Sequence, residues 1–272
     1  MSELAGVRPI IDTHVHLDDP AFDMDRDDVL AASRVAGVVH FINIGYCPAS
    51  WDASRRLREQ HPDVGIALGL HPGHADEYEP TLDRALVAAI ESMRPLAIGE
   101  TGFDFSRPRP SITAQEQAFR RQLAIASEYG LPVIIHQRQA GDALRTELDR
   151  WPDLHAVVLH SFDGDGRLVD WAIERRLYIG VGGLAARPRS ADLRALLARV
   201  PTDRILLETD SPYLAPPGAP SRRNTPANLP VIAELLAPLW QWTPAQLRLT
   251  TTANARSLFG LDLDRHVAPQ AG

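Results

Sequence analysis

Eight short apolar runs, each followed by a stretch of helical period, constrain this 272-residue chain more than any other feature. The runs cover residues 10–17, 38–46, 65–72, 95–105, 132–138, 156–161, 177–183 and 205–214. Helical periodicity covers 27–36, 49–60, 82–93, 113–129, 140–151, 166–176 and 191–200, with two closing helices at 226–239 and 244–259. Strands that alternate with helices pair in parallel through right-handed crossovers. Eight such units predict an α/β fold, a (β/α)8 TIM barrel whose active site lies at the C-terminal ends of the strands. No linker or composition shift divides the chain, so residues 1–272 read as a single domain, with a frayed tail at 264–272.

What ends each run is chemically pointed. The first carries Asp12-Thr13-His14-Val15-His16. Side chains alternate across a strand, so Asp12, His14 and His16 are expected on one face and Ile11, Thr13, Val15 and Leu17 on the other. The third run ends at His71, the fourth at Glu100, the fifth at His136, the sixth at His160 and the eighth at Asp210. Neutral imidazole and carboxylate are ordinary ligands for divalent metals. Such groups are seldom buried without a partner or a cation. One catalytic zinc takes three protein ligands and a water. Four histidines (His14, His16, His136, His160) and two carboxylates (Glu100, Asp210) suit two cations sharing a carboxylate. Glu100 is the natural bridge, with His14, His16 and Asp210 on one cation and His136 and His160 on the other.

Composition narrows the remainder. A net charge of −7 argues against a broad nucleic-acid surface, though not against a local phosphate site served by cations. All 28 basic side chains are arginine, so no Schiff base, P-loop lysine or metal-bridging carboxylated lysine can form. A lone cysteine, Cys47, excludes an internal disulfide and fits a reducing compartment. With no signal peptide and no membrane-length apolar run, the chain is expected in the cytoplasm.

Read together, the strand ends resemble the TatD family of metal-dependent deoxyribonucleases, in the amidohydrolase superfamily. The matching pieces are Asp12-Thr13-His14-Val15-His16-Leu17, Gly69-Leu70-His71-Pro72, Gly99-Glu100-Thr101-Gly102-Phe103-Asp104, Ile134-Ile135-His136, His160-Ser161-Phe162, Glu208-Thr209-Asp210-Ser211-Pro212-Tyr213 and Thr252-Ala253-Asn254-Ala255-Arg256. The resemblance implies two divalent ions (zinc, magnesium or manganese) on His14, His16, Glu100, His136, His160 and Asp210. It also implies 3′→5′ exonuclease action on single-stranded DNA. The chain departs from the family at its rim. The family's His-Arg-Gly-Lys-x-Asn-Glu-Pro is Pro220-Ser221-Arg222-Arg223-Asn224-Thr225-Pro226 here, and Thr-Arg-Asp-Ala is Gln137-Arg138-Gln139-Ala140. The usual cysteine of the sixth-strand motif is Ser161. This altered rim keeps two alternatives open: an ester or amide hydrolase, such as an aminoacyl-tRNA deacylase, and the nuclease subunit of a larger defence or repair assembly.

Roles are expected as follows. Glu100 and Asp210 are catalytic as well as metal-binding, Asp210 positioning the attacking water or taking its proton, and His71 contacts the scissile phosphate. Arg138, Arg222 and Arg223, with Asn224 beside them, are candidate phosphate contacts, because a guanidinium grips phosphate bidentately. Phe103, with Phe105, is a candidate stacking surface for a base. Asp104 and Glu208 are expected behind the ligands, orienting histidines. Trp240 and Trp242 are read as packing.

Overall fold

The sheet begins with β1 (Ile10–Val15) and continues through β2 (Val38–Gly45), β3 (Val64–Leu68), β4 (Ala97–Asp104), β5 (Val133–Arg138), β6 (Val157–Leu159), β7 (Tyr178–Val181) and β8 (Ile205–Leu207). The computed structural model describes residues 9–262; the tail expected to fray, 264–272, lies outside them. The strands are ordered β1 to β8, every neighbouring pair parallel. Hydrogen bonds between the turn that follows the last strand and the end of the first bring the ring together. Asp210 N–H donates to His14 O at 2.9 Å, and His16 N–H to Ser211 O at 2.8 Å. This is the expected (β/α)8 barrel.

Helices α1 (Arg26–Val35), α2 (Pro48–Gln60), α3 (Pro80–Met93), α4 (Ile112–Tyr129), α5 (Gly141–Leu148) and α6 (Gly166–Glu174) follow the first six strands. After β7 the chain makes a single turn, α7 (Gly183–Ala186), and then α8 (Ala191–Leu197). The chain closes with α9 (Leu229–Leu236) and α10 (Pro244–Phe259). The expected helix 226–239 is split: 3-10 turns at Pro226–Asn228 and Ala237–Trp240 flank α9, each with a proline in its first turn. The expected eighth strand stops early, at Leu207, because Asp210 takes a left-handed conformation (φ 57°) and turns the chain.

Two apolar layers hold the barrel. An outer one, including Val15, Leu17, Ile98, Ile135 and Leu159, packs the strands against the helices. An inner one takes a residue from each strand, among them Ile11, Ala67, Ile134, Val158 and Leu206, and is plugged by Ala255, Leu258 and Phe259 of α10. Trp240 and Trp242 pack against the outer layer.

Strict alternation on β1 does not hold. Ile11 lies in the inner layer with the residues beneath the histidine cluster, yet Val15 and Leu17 lie outside. The pairing with β2 shifts register between Ile10 and Ile11 and again between Asp12 and Val15. A third shift, between Ile98 and Thr101, spans Glu100. Such irregularities re-aim side chains next to functional sites. Here they bring His14, His16 and Glu100 to the same interior point.

Candidate metal centre and active site

The six residues expected as ligands meet at the C-terminal mouth of the barrel. His14 Nε2 lies 3.5 Å from Glu100 Oε2 and 3.8 Å from Asp210 Oδ1. His16 Nε2 lies 3.9 and 3.5 Å from the same two atoms. On the other side, His136 Nδ1 is 2.7 Å and His160 Nε2 3.2 Å from Glu100 Oε1. The two oxygens of one buried carboxylate thus face two different pairs of histidines. The rings of His14 and His160 stack at 3.6 Å and so join the two halves.

Three sets of residues here have ligand atoms within 4.8 Å of one another: His14, His16 and Glu100; His14, His160 and Asp210; His71, Glu100 and His136. The chemistry of this donor set fits divalent cations. Both ring nitrogens of fully buried His14, and Nδ1 of His16, have no hydrogen-bond partner in the protein. Burying such groups unpaired is costly, and a cation between imidazole and carboxylate relieves that cost.

The protonation pattern follows from this crowding. Burial tends to raise the carboxyl of Glu100, but the histidines around it, His160 foremost, hold it well below the usual range. Burial tends to neutralise His160, yet Glu100 and Glu208 push its pKa well above the ordinary value. His14 goes the other way, lowered by burial and by His160. Asp210 is lowered despite burial, chiefly by its contact with His16. A proton shared in this cluster is one a cation displaces.

His71 differs from the other histidines. Its Nδ1 accepts the N–H of Gly73 at 2.8 Å, where it caps a 3-10 turn. Burial pushes its pKa down to about 3, so the ring is neutral. With Nδ1 an acceptor, the ring proton sits on Nε2, 3.7 Å from Glu100 Oε1. His71 therefore presents a hydrogen-bond donor to the site, although it lies close enough to be grouped with the candidate ligands Glu100 and His136.

A second layer fixes the first. Asp104 Oδ2 is 3.4 Å from His136 Nε2, and Glu208 Oε1 is 3.3 Å from His160 Nδ1. Asp12 accepts from Thr209 N–H at 3.0 Å and Thr209 Oγ1 at 2.6 Å, tying β1 to the turn that carries Asp210. Gly102 lets β4 approach β5: its φ is 132°, and a Cβ there would lie 2.2 Å from His136 O.

The expected substrate contacts divide. Arg138 and Arg222 are exposed at the rim. Arg223 is committed elsewhere: it grips Asp25 through two hydrogen bonds of 2.8 and 2.6 Å and lies over Phe22. Asn224 is fully buried, donating to Thr209 O and accepting from Thr225 N–H and Asn228 Nδ2. Its side chain anchors the loop after β8 and does not reach solvent. Phe103, 1% exposed, packs against Phe105 and Phe119, so it offers no ring face to a base.

Sequence reasoning missed two glutamines of α4. Gln122 Oε1 accepts Leu70 N–H at 2.7 Å and its amide donates to Thr101 Oγ1 at 2.7 Å, fixing the chain before His71. Gln115 Oε1 accepts Asp104 N–H at 2.8 Å. Their signal was present: two polar residues seven apart on the face of α4 that carries Ala118 and Phe119.

The family described as TatD related DNase matches residues 11–260. The chain belongs to that family. The TatD 3′-5′ ssDNA/RNA exonuclease of Salmonella typhimurium is 37% identical over 92% of this chain and 98% of its own length. Its namesake in Escherichia coli K12 is 34% identical over 93% and 99%. The crystal structure of a TatD homologue from Escherichia coli K12 superposes with a TM-score of 0.88 at 29% identity, covering 93% of this chain and 98% of that one. A TatD family hydrolase from Entamoeba histolytica shares the fold at a TM-score of 0.85 and 20% identity. The TatD resemblance of the strand ends thus extends through nearly the whole barrel. Among the described residues no helix is long and apolar enough to cross a membrane.

Proposed function

We propose that this chain hydrolyses phosphodiester bonds with two divalent cations, trimming single-stranded DNA from its 3′ end. The carrying observation is Glu100, whose Oε2 faces His14 and His16 while its Oε1 faces His136 and His160. Glu100, His14, His16 and Asp210 would hold one cation, and Glu100, His136 and His160 the other. Paired cations supply Lewis acidity and lower the pKa of water, which suits in-line displacement at phosphorus.

The chain's own groups do the rest. Asp210, held ionised beside His16, orients the attacking water and accepts its proton. His71 donates its Nε2 proton in a hydrogen bond to a non-bridging phosphate oxygen. Exposed Arg138 and Arg222 bind flanking phosphates. Relatives named as ssDNA/RNA exonucleases support the substrate class. A single cysteine supports a cytoplasmic location.

The test is digestion of a 5′-labelled single-stranded oligonucleotide beside a simple carboxylic ester and an aminoacyl-tRNA. Metal-dependent shortening from the 3′ end, with the esters untouched, is expected. Ester cleavage without any shortening would overturn the reading.

A further inference from the structure

Tyr213 is the one aromatic side chain among the large apolar residues left exposed in the described part of the chain, at 53%. It stands three residues after Asp210, at the mouth of the barrel. Its hydroxyl donates to Asp19 Oδ2 at 3.0 Å, which fixes the ring without covering it. The ring meets His16 edge-on at 5.9 Å. From another side Tyr46, half-buried, meets the same His16 at 5.6 Å. Two tyrosines therefore frame the outer flank of one half of the metal centre, and neither serves as a ligand. Leaving an aromatic face in water forgoes its burial, and base stacking is a general use of such a face.

Charge on the rim gives the site a direction. The loop after β1 carries Asp18, Asp19, Asp23 and Asp25, and among the described residues the guanidinium groups paired to them are those of Arg26 and Arg223. Across the barrel, the loop after β4 carries Arg107, 4.0 Å from Asp104 at the end of that strand, and Arg109, and β5 ends at exposed Arg138. A polyanion is drawn to the second side and repelled from the first. A chain lying over β4 and β5 thus reaches the metal centre and meets the acidic loop after β1 beyond it, with exposed Arg222 of the loop after β8 on that same side. The far side, next to Tyr213, is then the place for the end of the chain.

We infer that the exposed ring of Tyr213 is the stacking platform for the terminal nucleobase, the base of the nucleotide about to be released. Tyr46 closes the same subsite from the β2 side. The acidic loop after β1 ends the track, so the enzyme removes terminal nucleotides instead of cutting within a strand. This rests on the nuclease reading above and assigns it a residue that recognises the base.

The test compares two single-stranded oligonucleotides that differ only at the 3′-terminal position, one with its base and one abasic there. Wild type should prefer the intact terminus by about tenfold in kcat/KM, the scale of one stacked base. Tyr213→Ala should bring the two rates together by slowing the intact substrate, and Tyr213→Phe should keep the preference. Both substrates meet the same preparation, so any loss of folded protein cancels in the ratio. Equal rates in wild type, or a preference retained in Tyr213→Ala, would overturn the assignment and leave the nuclease reading standing. No digestion of either substrate by wild type would overturn both.

Discussion

Glu208 Oε1 sits 3.3 Å from His160 Nδ1 and at the same time accepts the N–H of Ser161 at 2.6 Å. One buried carboxylate thereby sets both the ring and the backbone of a candidate ligand. Partners of this kind orient the imidazole and raise its basicity. Glu208→Gln should weaken metal binding about 10- to 100-fold while leaving the melting temperature of the metal-free protein near wild type. Metal titration with and without the substitution checks this.

Arg138 and Arg223 should behave oppositely. Arg138 is exposed and uncommitted at the end of β5. Arg138→Ala should raise KM and reduce the salt dependence of binding by about one phosphate contact, with no change in melting. Arg223 joins the loop after β8 to Asp25 and lies over Phe22. Arg223→Ala should lower the melting temperature and leave the salt dependence alone. Melting curves and activity against ionic strength separate the two.

Metal-free and metal-loaded protein should respond to pH with opposite slopes. In the metal-free state His160 is raised well above its ordinary value, and His16 and His136 are raised as well. Burial pushes the Asp12 carboxyl up to about 7, against its hydrogen bonds from Thr209. A group whose folded pKa is raised contributes stability below its unfolded value and loses it as pH rises through the folded one. Glu100 is lowered, so its contribution is already complete above the ordinary carboxylate range. Lowered His14 matters only below the ordinary histidine value. Between about pH 6.5 and about pH 8.5 the metal-free melting temperature should therefore fall. Metal binding releases protons and strengthens as pH rises, so the loaded protein should gain over the same range. Melts with chelator and with Mn²⁺ across that window test the sign; parallel slopes would contradict it.

The barrel was legible because each of its strands is a short apolar run, and the candidate ligands could be proposed because they stand at the ends of those runs. What escaped were the positions where the backbone breaks period. Alternation put Ile11 opposite His14, and the register shifts on β1 undo that. Phe103, Asn224 and Arg223 carry the residue types of a substrate site, and composition cannot reveal that neighbours already occupy them. Tyr213 could be told from a core tyrosine only once its exposure was known.

The central claim is that Glu100 is shared by two cations. The most direct measurement is the metal content of wild type and Glu100→Ala, determined beside digestion of a 5′-labelled single-stranded oligonucleotide. The account predicts two equivalents of divalent metal in wild type. It predicts loss of both, with activity down about a hundredfold or more, in the variant. Full metal content and near wild-type digestion in Glu100→Ala would contradict it.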